Sequence, residues 1–574
     1  MHDLVIRNGR VIDGSGAGAT HADVAVDGER VVEVGTVDGK GRREIDADGL
    51  LVTPGWVDIH THYDGQVTWD PEVSPSGWHG VTTVVTGNCG VGFAPARPAE
   101  RDWLIQLMEG VEDIPGTALT EGMTWNWQSF PEYLDEVERM PRLLDVAAMV
   151  PHGALRAFVL GCDRNNDDAS DEEIALMAKL AREAIDAGAV GVSTTRTVGH
   201  MAKDGQPAAG TFAKPAELLA LGEALTGAGR RVFSVVSENL FGNNADAEFA
   251  WMAEISRQSR VPVTYMVLDV PFAPGAWRRT LDRGLELNRD GAWLVPQVAG
   301  KPASLMVGWE STYHLFSGHE HYQALAELPL DARITRLRDP EVRQALLDEP
   351  LVFANMFVGI IHAQLASGNL YQLGDPPDYE PDPQRSIATI AAREGRPPLD
   401  VAYNLMLERD GHELLYTPLL GYSSGDLSSL REMLTHPSSV LGLSDGGAHV
   451  GFICDGTMPT FMLTHWARDR SRGETIPLEQ AVHIQTRRTA QLFGFDDRGV
   501  VAPGYLADLN VIDHDRLALG PVQMAYDLPA DGKRLVQRAT GYVATIKSGA
   551  VVRHHDEATG ERPGRLIRGP QKQS

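Results

Sequence analysis

About eight strand-length apolar runs alternate with helix-patterned stretches, and this alternation limits the fold more than any other feature. The runs lie at residues 52–59, 81–85, 147–150, 189–193, 232–236, 261–266, 293–297 and 440–443. Strands that alternate with helices pair in parallel, because each helix returns the chain to the same end of the sheet. Eight or so such units close into a (β/α)8 TIM-like barrel, an α/β fold. One crossover helix can be read residue by residue. Ser170 and Glu173 form a capping box, residues 174–187 carry apolar side chains at helical spacing, and Gly188 is placed to end the helix.

Both chain ends have a different character. Before residue 52, short β-branched segments are separated by the hairpin signals Asn8-Gly9 and Asp27-Gly28. From about residue 496 the chain is strand-like again, with a further strand pair expected between residues 541 and 552. Residues 1–52 and 496–560 are therefore expected to form one small β-rich domain around the barrel of 53–495, with 561–574 as a loose tail. Two excursions, near 97–145 and 300–385, interrupt the barrel alternation and read as lids, extra packing or a subunit contact.

The formal net charge of −27 repels nucleic-acid phosphate and anionic lipid, so neither is an expected partner. Three cysteines form no disulfide framework. The N-terminus lacks the basic and apolar pattern of a signal peptide, and no apolar run is long enough to span a membrane. A reducing cytoplasm and a small-molecule substrate are expected, and a homo-oligomer is left open.

Three strand ends carry chemistry. The first run ends in Asp58-Ile59-His60-Thr61-His62. Side chains alternate along a strand, so His60 and His62 share a face and can share a metal at the barrel mouth. The second run ends in Gly87-Asn88-Cys89-Gly90, which brings a thiol to the same rim. The last ends in Ser444-Asp445-Gly446, where Asp445 can bind a cation and also move a proton. Cys162 and Cys454 lack such a setting and read as structural. The expected cofactor is one divalent metal, zinc, on His60, His62, Cys89 and Asp445.

These motifs resemble the amidohydrolase superfamily, and the Asn-Cys-Gly turn resembles its N-acyl-D-amino-acid deacylase (D-aminoacylase) branch. The resemblance runs from the opening Val5-Ile6-Arg7-Asn8-Gly9 to the closing Pro503-Gly504-Tyr505-Leu506-Ala507-Asp508-Leu509. It implies a metal-bearing barrel with a small β-sandwich made from both chain ends. It also implies His60, His62, Cys89 and Asp445 as ligands, with Asp445 as general acid and base. The chain departs from the branch at two positions where a ligand histidine is implied. Ser234 stands at one and Val267 at the other. The departure implies one metal in place of two. His200, His314, His362 and His449 are loop histidines that could add a nitrogen.

The expected function is hydrolysis of a C–N bond in an amide, cyclic amide or N-acyl amino acid by metal-activated water. One alternative is a single-metal enzyme that cleaves a C–C or C–O bond or decarboxylates its substrate. Another is a metal-free binding protein. The eleven tryptophans suggest either a roomy aromatic pocket or simple core filling.

Overall fold

Barrel strands form at Trp56–Asp58, Val81–Thr86, Asp145–Pro151, Gly191–Thr195, Val232–Val236, Val263–Met266, Leu294–Ala299 and Val440–Gly442. They pair in this order, each parallel to the next. The structure is a computed structural model and describes the chain apart from residues 243, 354 and 574 and the side chains of Glu238 and Asn239. The barrel closes between its eighth and first strands. Asp445 N–H donates to the His60 carbonyl at 3.1 Å, and His62 N–H donates to the Gly446 carbonyl at 2.8 Å. Thr61 and Gly446 are parallel bridge partners across the same seam.

The apolar run 52–59 is two strands, not one. Leu51–Pro54 pairs with His2–Val11 and Leu509–Ile512 in the terminal sheet, while Trp56–Asp58 starts the barrel. Gly55 hands the chain from one sheet to the other, and a Cβ there would meet the Thr82 side chain at 2.3 Å. Strands from both chain ends form one nine-stranded sheet, while Ala518–Leu528 and Gly532–Thr540 pair apart from it as a two-stranded sheet. The core of the nine-stranded sheet includes Leu4, Ile6, Val24, Val52, Leu509, Val511 and Ile546.

The helix Asp171–Ala187 forms as its sequence predicts, capped by the Ser170 side chain and ended by Gly188 at φ 122°. After the second strand come helices Arg101–Glu112, Gly116–Gly122 and Phe130–Arg139. Trp127 donates its ring N–H to the Phe93 carbonyl, and Tyr133 its hydroxyl to the Asp64 carbonyl, each at 2.8 Å. This excursion therefore braces the loops that follow the first two strands.

The second excursion extends past residue 385. Ala303–Val307 pairs with Leu415–Leu420, and Ile387, Val401 and Tyr403 join Trp309, Phe316 and Tyr322 in a separate core. Helices Ile387–Glu394 and Pro398–Met406 bury their apolar faces in that core, which is why the barrel alternation resumes only later. Trp56, Trp127, Trp309 and Trp466 are fully buried, so much of the tryptophan content serves packing. The tail is not loose. Ile567 N–H donates to the Val146 carbonyl at 2.7 Å, and Leu566 and Ile567 are buried against the barrel. Two apolar side chains within a polar segment are enough to dock it. Among the described residues, no helix is long and apolar enough to cross a membrane.

A buried ionic network joins barrel and terminal sheet. Arg498 donates to Asp145 at 2.7 Å and to Thr83 at 2.8 Å, and Lys547 donates to Asp508 at 2.9 Å and lies 3.1 Å from Asp145. Removing one member of such a network leaves a buried charge short of a partner. Arg498→Met is expected to cost about 3 kcal/mol, the lower end of the usual range because Lys547 still faces Asp145. A lowered urea midpoint checks this, and an unchanged midpoint would show that the pairing contributes nothing.

Candidate metal centre

His60 and His62 follow the first barrel strand and project to the same side, their ring centroids 5.5 Å apart. Thr61 between them points away and donates its hydroxyl to the Val85 carbonyl at 2.9 Å. His60 Nδ1 meets Gln297 Oε1 at 2.9 Å, which leaves Nε2 facing the mouth. Gln297 is held close because Gly442 has no side chain; a Cβ there would lie 2.3 Å from its amide oxygen.

Cys89 arrives by a sharp turn. Gly87, Cys89 and Gly90 all have left-handed backbone, at φ 77°, 55° and 71°. A Cβ on Gly87 would lie 2.1 Å from the Met149 carbonyl oxygen. Asn88 fastens the turn by donating to the Thr61 and Val85 carbonyls at 3.2 and 3.0 Å. The result places Cys89 Sγ 3.3 Å from His60 Nε2.

Asp445 comes from beyond the eighth strand, itself at φ 47°. Its Oδ1 lies 3.4 Å from His60 Nε2 and 3.7 Å from His62 Nε2. Ser444 donates to Asp58 Oδ2 at 2.6 Å and to the His60 carbonyl at 2.9 Å, which clamps this segment to the first strand.

Donor atoms of His60, His62 and Cys89 all lie within 4.8 Å of one another. Atoms about 2.0–2.3 Å from a tetrahedral zinc are about 3.3–3.6 Å from each other, close to the spacings here. Both ring nitrogens of His62 are buried without a hydrogen-bond partner, a costly state for a polar group that faces nothing. The donor chemistry and spacing therefore fit a divalent metal.

The two imidazoles differ in charge: burial works against a proton on His62, but Glu112 and Cys89 outweigh it and hold that imidazole well above its usual value, so a bound cation would take the place of its Nε2 proton. Burial pushes the His60 imidazole down to about 4, so it is neutral and free to donate a lone pair. Burial pushes the Cys89 thiol up to about 12, partly opposed by His62; a bound cation would reverse this and hold the thiolate. Burial works against the charge on Asp445, but the His62 and His60 imidazoles beside it outweigh burial and hold the carboxyl below its usual range.

Of the four loop histidines, two are near. His449 Nε2 lies 3.3 Å from Glu112 Oε2, and His200 Nδ1 meets Thr195 Oγ1 at 3.0 Å. His314 and His362 belong to the second excursion, bonded to Phe316 N–H and the Leu315 carbonyl. Ser234 and Val267 are buried and bring no nitrogen. Cys162 and Cys454 lie outside the donor cluster. Three site residues went unread in the sequence. Asp58 had a signal, since it precedes His60 by two and shares its face. Glu112 had a weaker one, an acid on the apolar face of an amphipathic helix. Gln297 had none.

A closed parallel barrel with first-strand imidazoles beside an eighth-strand carboxylate defines a metal-dependent hydrolase of the TIM-barrel class. The family model described as "Amidohydrolase family" matches residues 43–553, and the chain belongs to that family. D-aminoacylase of Alcaligenes xylosoxydans xylosoxydans is 27% identical over 98% of this chain and 97% of its own. N-acyl-D-aspartate deacylase of the same organism is 25% identical over 98% and 95%. A crystal structure of D-aminoacylase superposes with a TM-score of 0.64 at 25% identity, covering 99% of this chain and 100% of that one. The zinc and phosphonate complex of N-acyl-D-glutamate deacylase from Bordetella bronchiseptica, 22% identical, shares the fold with a TM-score of 0.63 over 99% and 100%. Over nearly its whole length this member of the amidohydrolase family is similar to D-aminoacylase and to N-acyl-D-amino-acid deacylases.

Gly87→Ala is expected to displace the Cys89 turn, at a cost of about 1–3 kcal/mol for the strained backbone alone. Faster reaction of Cys89 with a thiol reagent in the folded protein checks this. Unchanged reactivity would mean that the turn tolerates the methyl group.

Proposed function

We propose that this chain hydrolyses the amide bond of an N-acyl amino acid or related small amide, using one zinc ion on His60, His62, Cys89 and Asp445. The observation that carries this reading is the convergence of Cys89 Sγ and Asp445 Oδ1 on His60 Nε2, at 3.3 and 3.4 Å, from three different strands. The relatives support amide hydrolysis, being named D-aminoacylase and N-acyl-D-aspartate deacylase. A solved D-aminoacylase is described by one-metal activation and second-metal attenuation, which suits a chain with one full donor set.

A divalent ion in this position supplies a Lewis acid for the scissile carbonyl and a water acidic enough to lose its proton near neutral pH. His60, His62 and Cys89 hold and orient that ion from the enclosed side. Asp445 is the donor that meets the mouth, its side chain 27% exposed against 3% for His60 and 1% for His62. Its carboxylate takes the proton of the attacking water and returns it to the leaving nitrogen, so no net proton is lost. Asp445 is ionised at neutral pH, so its carboxylate is free to accept a proton there.

Elemental analysis is expected to find about one metal per chain, reduced in His60→Ala, since loss of one donor in four breaks the set. Unchanged content in that variant would defeat the ligand assignment. Asp445→Asn is expected to lose about 10²–10⁴-fold in kcat with the melting temperature kept. Amine release across a panel of N-acyl amino acids tests the reaction itself. Metal without amine release would favour cleavage of a C–C or C–O bond instead.

A further inference from the structure

Glu112 is the last residue of helix Arg101–Glu112 and is only 1% exposed. A buried carboxylate costs several kcal/mol unless paired, and the negative end of a helix is the wrong end for one. No lysine or arginine pairs with it among the described residues; its ionic neighbours are two imidazoles. Oε1 lies 3.3 Å from His62 Nδ1 and Oε2 lies 3.3 Å from His449 Nε2. Oε1 and His62 Nδ1 are both buried without a hydrogen bond.

The position is built, not incidental. The His449 backbone N–H donates to the Glu112 carbonyl. Gly451 N–H and the Thr312 hydroxyl donate to Asp113 Oδ2 at 3.0 and 3.2 Å. The helix end is thereby sewn to the loop that follows Asp445. Gln297 stands behind His60 Nδ1 as Glu112 stands behind His62 Nδ1, there in a hydrogen bond at 2.9 Å. Each imidazole of the pair thus has an oxygen acceptor behind Nδ1, which keeps the proton there and directs the Nε2 lone pair to the Asp445 side.

We propose that Glu112 is a positioning residue of the metal centre, holding His62 in the ring orientation and tautomer that present Nε2 to the ion. This rests on the reading of His62 as a ligand. The first excursion would then supply part of the metal centre as well as bracing its loops.

The test measures zinc affinity by chelator competition, and the visible spectrum after cobalt substitution, for the full-length wild type, Glu112→Ala and Glu112→Gln. The melting temperature of each metal-free protein is measured alongside. An outer acceptor of this kind is worth about 10–100-fold in metal affinity. Glu112→Ala is expected to show that loss with a shifted cobalt spectrum, in excess of whatever stability the metal-free form loses when His62 and His449 give up their carboxylate neighbour. Glu112→Gln keeps an acceptor oxygen and the same shape, so it is expected to lose less. It also serves as the test if the alanine variant does not fold. Wild-type affinity in the variants, or weaker binding matched by an equal loss of metal-free stability, overturns the proposal. A wild type that binds no zinc would instead overturn the metal reading on which it rests.

Discussion

The seam that closes the barrel is also the seam across which the site is assembled. Two backbone hydrogen bonds, from Asp445 to His60 and from His62 to Gly446, join the first and eighth strands. The same residues carry two imidazoles and the carboxylate. Closing the sheet therefore sets the distance between nitrogen and oxygen donors, without help from a mobile loop. A site on strand ends is positioned by the whole hydrogen-bonded ladder behind it, which is stiffer than any single connection. Asp445 and Cys89 complete it from left-handed backbone, a modest strain that the surrounding packing holds in place.

The buried acids fall into two groups, and the difference separates structure from function. Asp145 and Asp508 are met by Arg498 and Lys547, and Glu217 by His152 and Arg156. Those acids are neutralised by the fold itself. Asp58 and Asp64 at the barrel mouth have no such cation, and burial pushes both up to about 7. Among the described residues, Glu112 and Asp445 likewise pair only with imidazoles. A region rich in carboxylates and poor in fixed cations is short of positive charge, and a divalent ion is the species that would relieve it.

The excursions divide the remaining work. The first packs against the barrel core and reaches the donors through Tyr133, Trp127 and Glu112. The second has its own aromatic core around Trp309 and adds a three-stranded sheet beside the mouth.

Local chemistry made much of this legible in the sequence. β-branched runs of strand length announce barrel strands wherever they occur, and a period of two puts His60 and His62 on one face in any strand. The Ser170 and Glu173 box marks a helix start because it satisfies that helix's own free N–H groups. What the tertiary structure alone decided is every relation between distant segments. The run 52–59 has one apolar pattern but serves two sheets, since only the partners on either side of Gly55 distinguish them. The tail docks because its two apolar residues find a place on the barrel that no local rule foretells. His449 and His200 reach the mouth while His314 and His362 do not, and nothing in their immediate neighbours separates them. Residue type and period set which side chains could bind a metal. Which of them meet is set by the closure of the barrel and the burial of the helix that carries Glu112, and contacts across hundreds of residues leave no periodic trace along the chain.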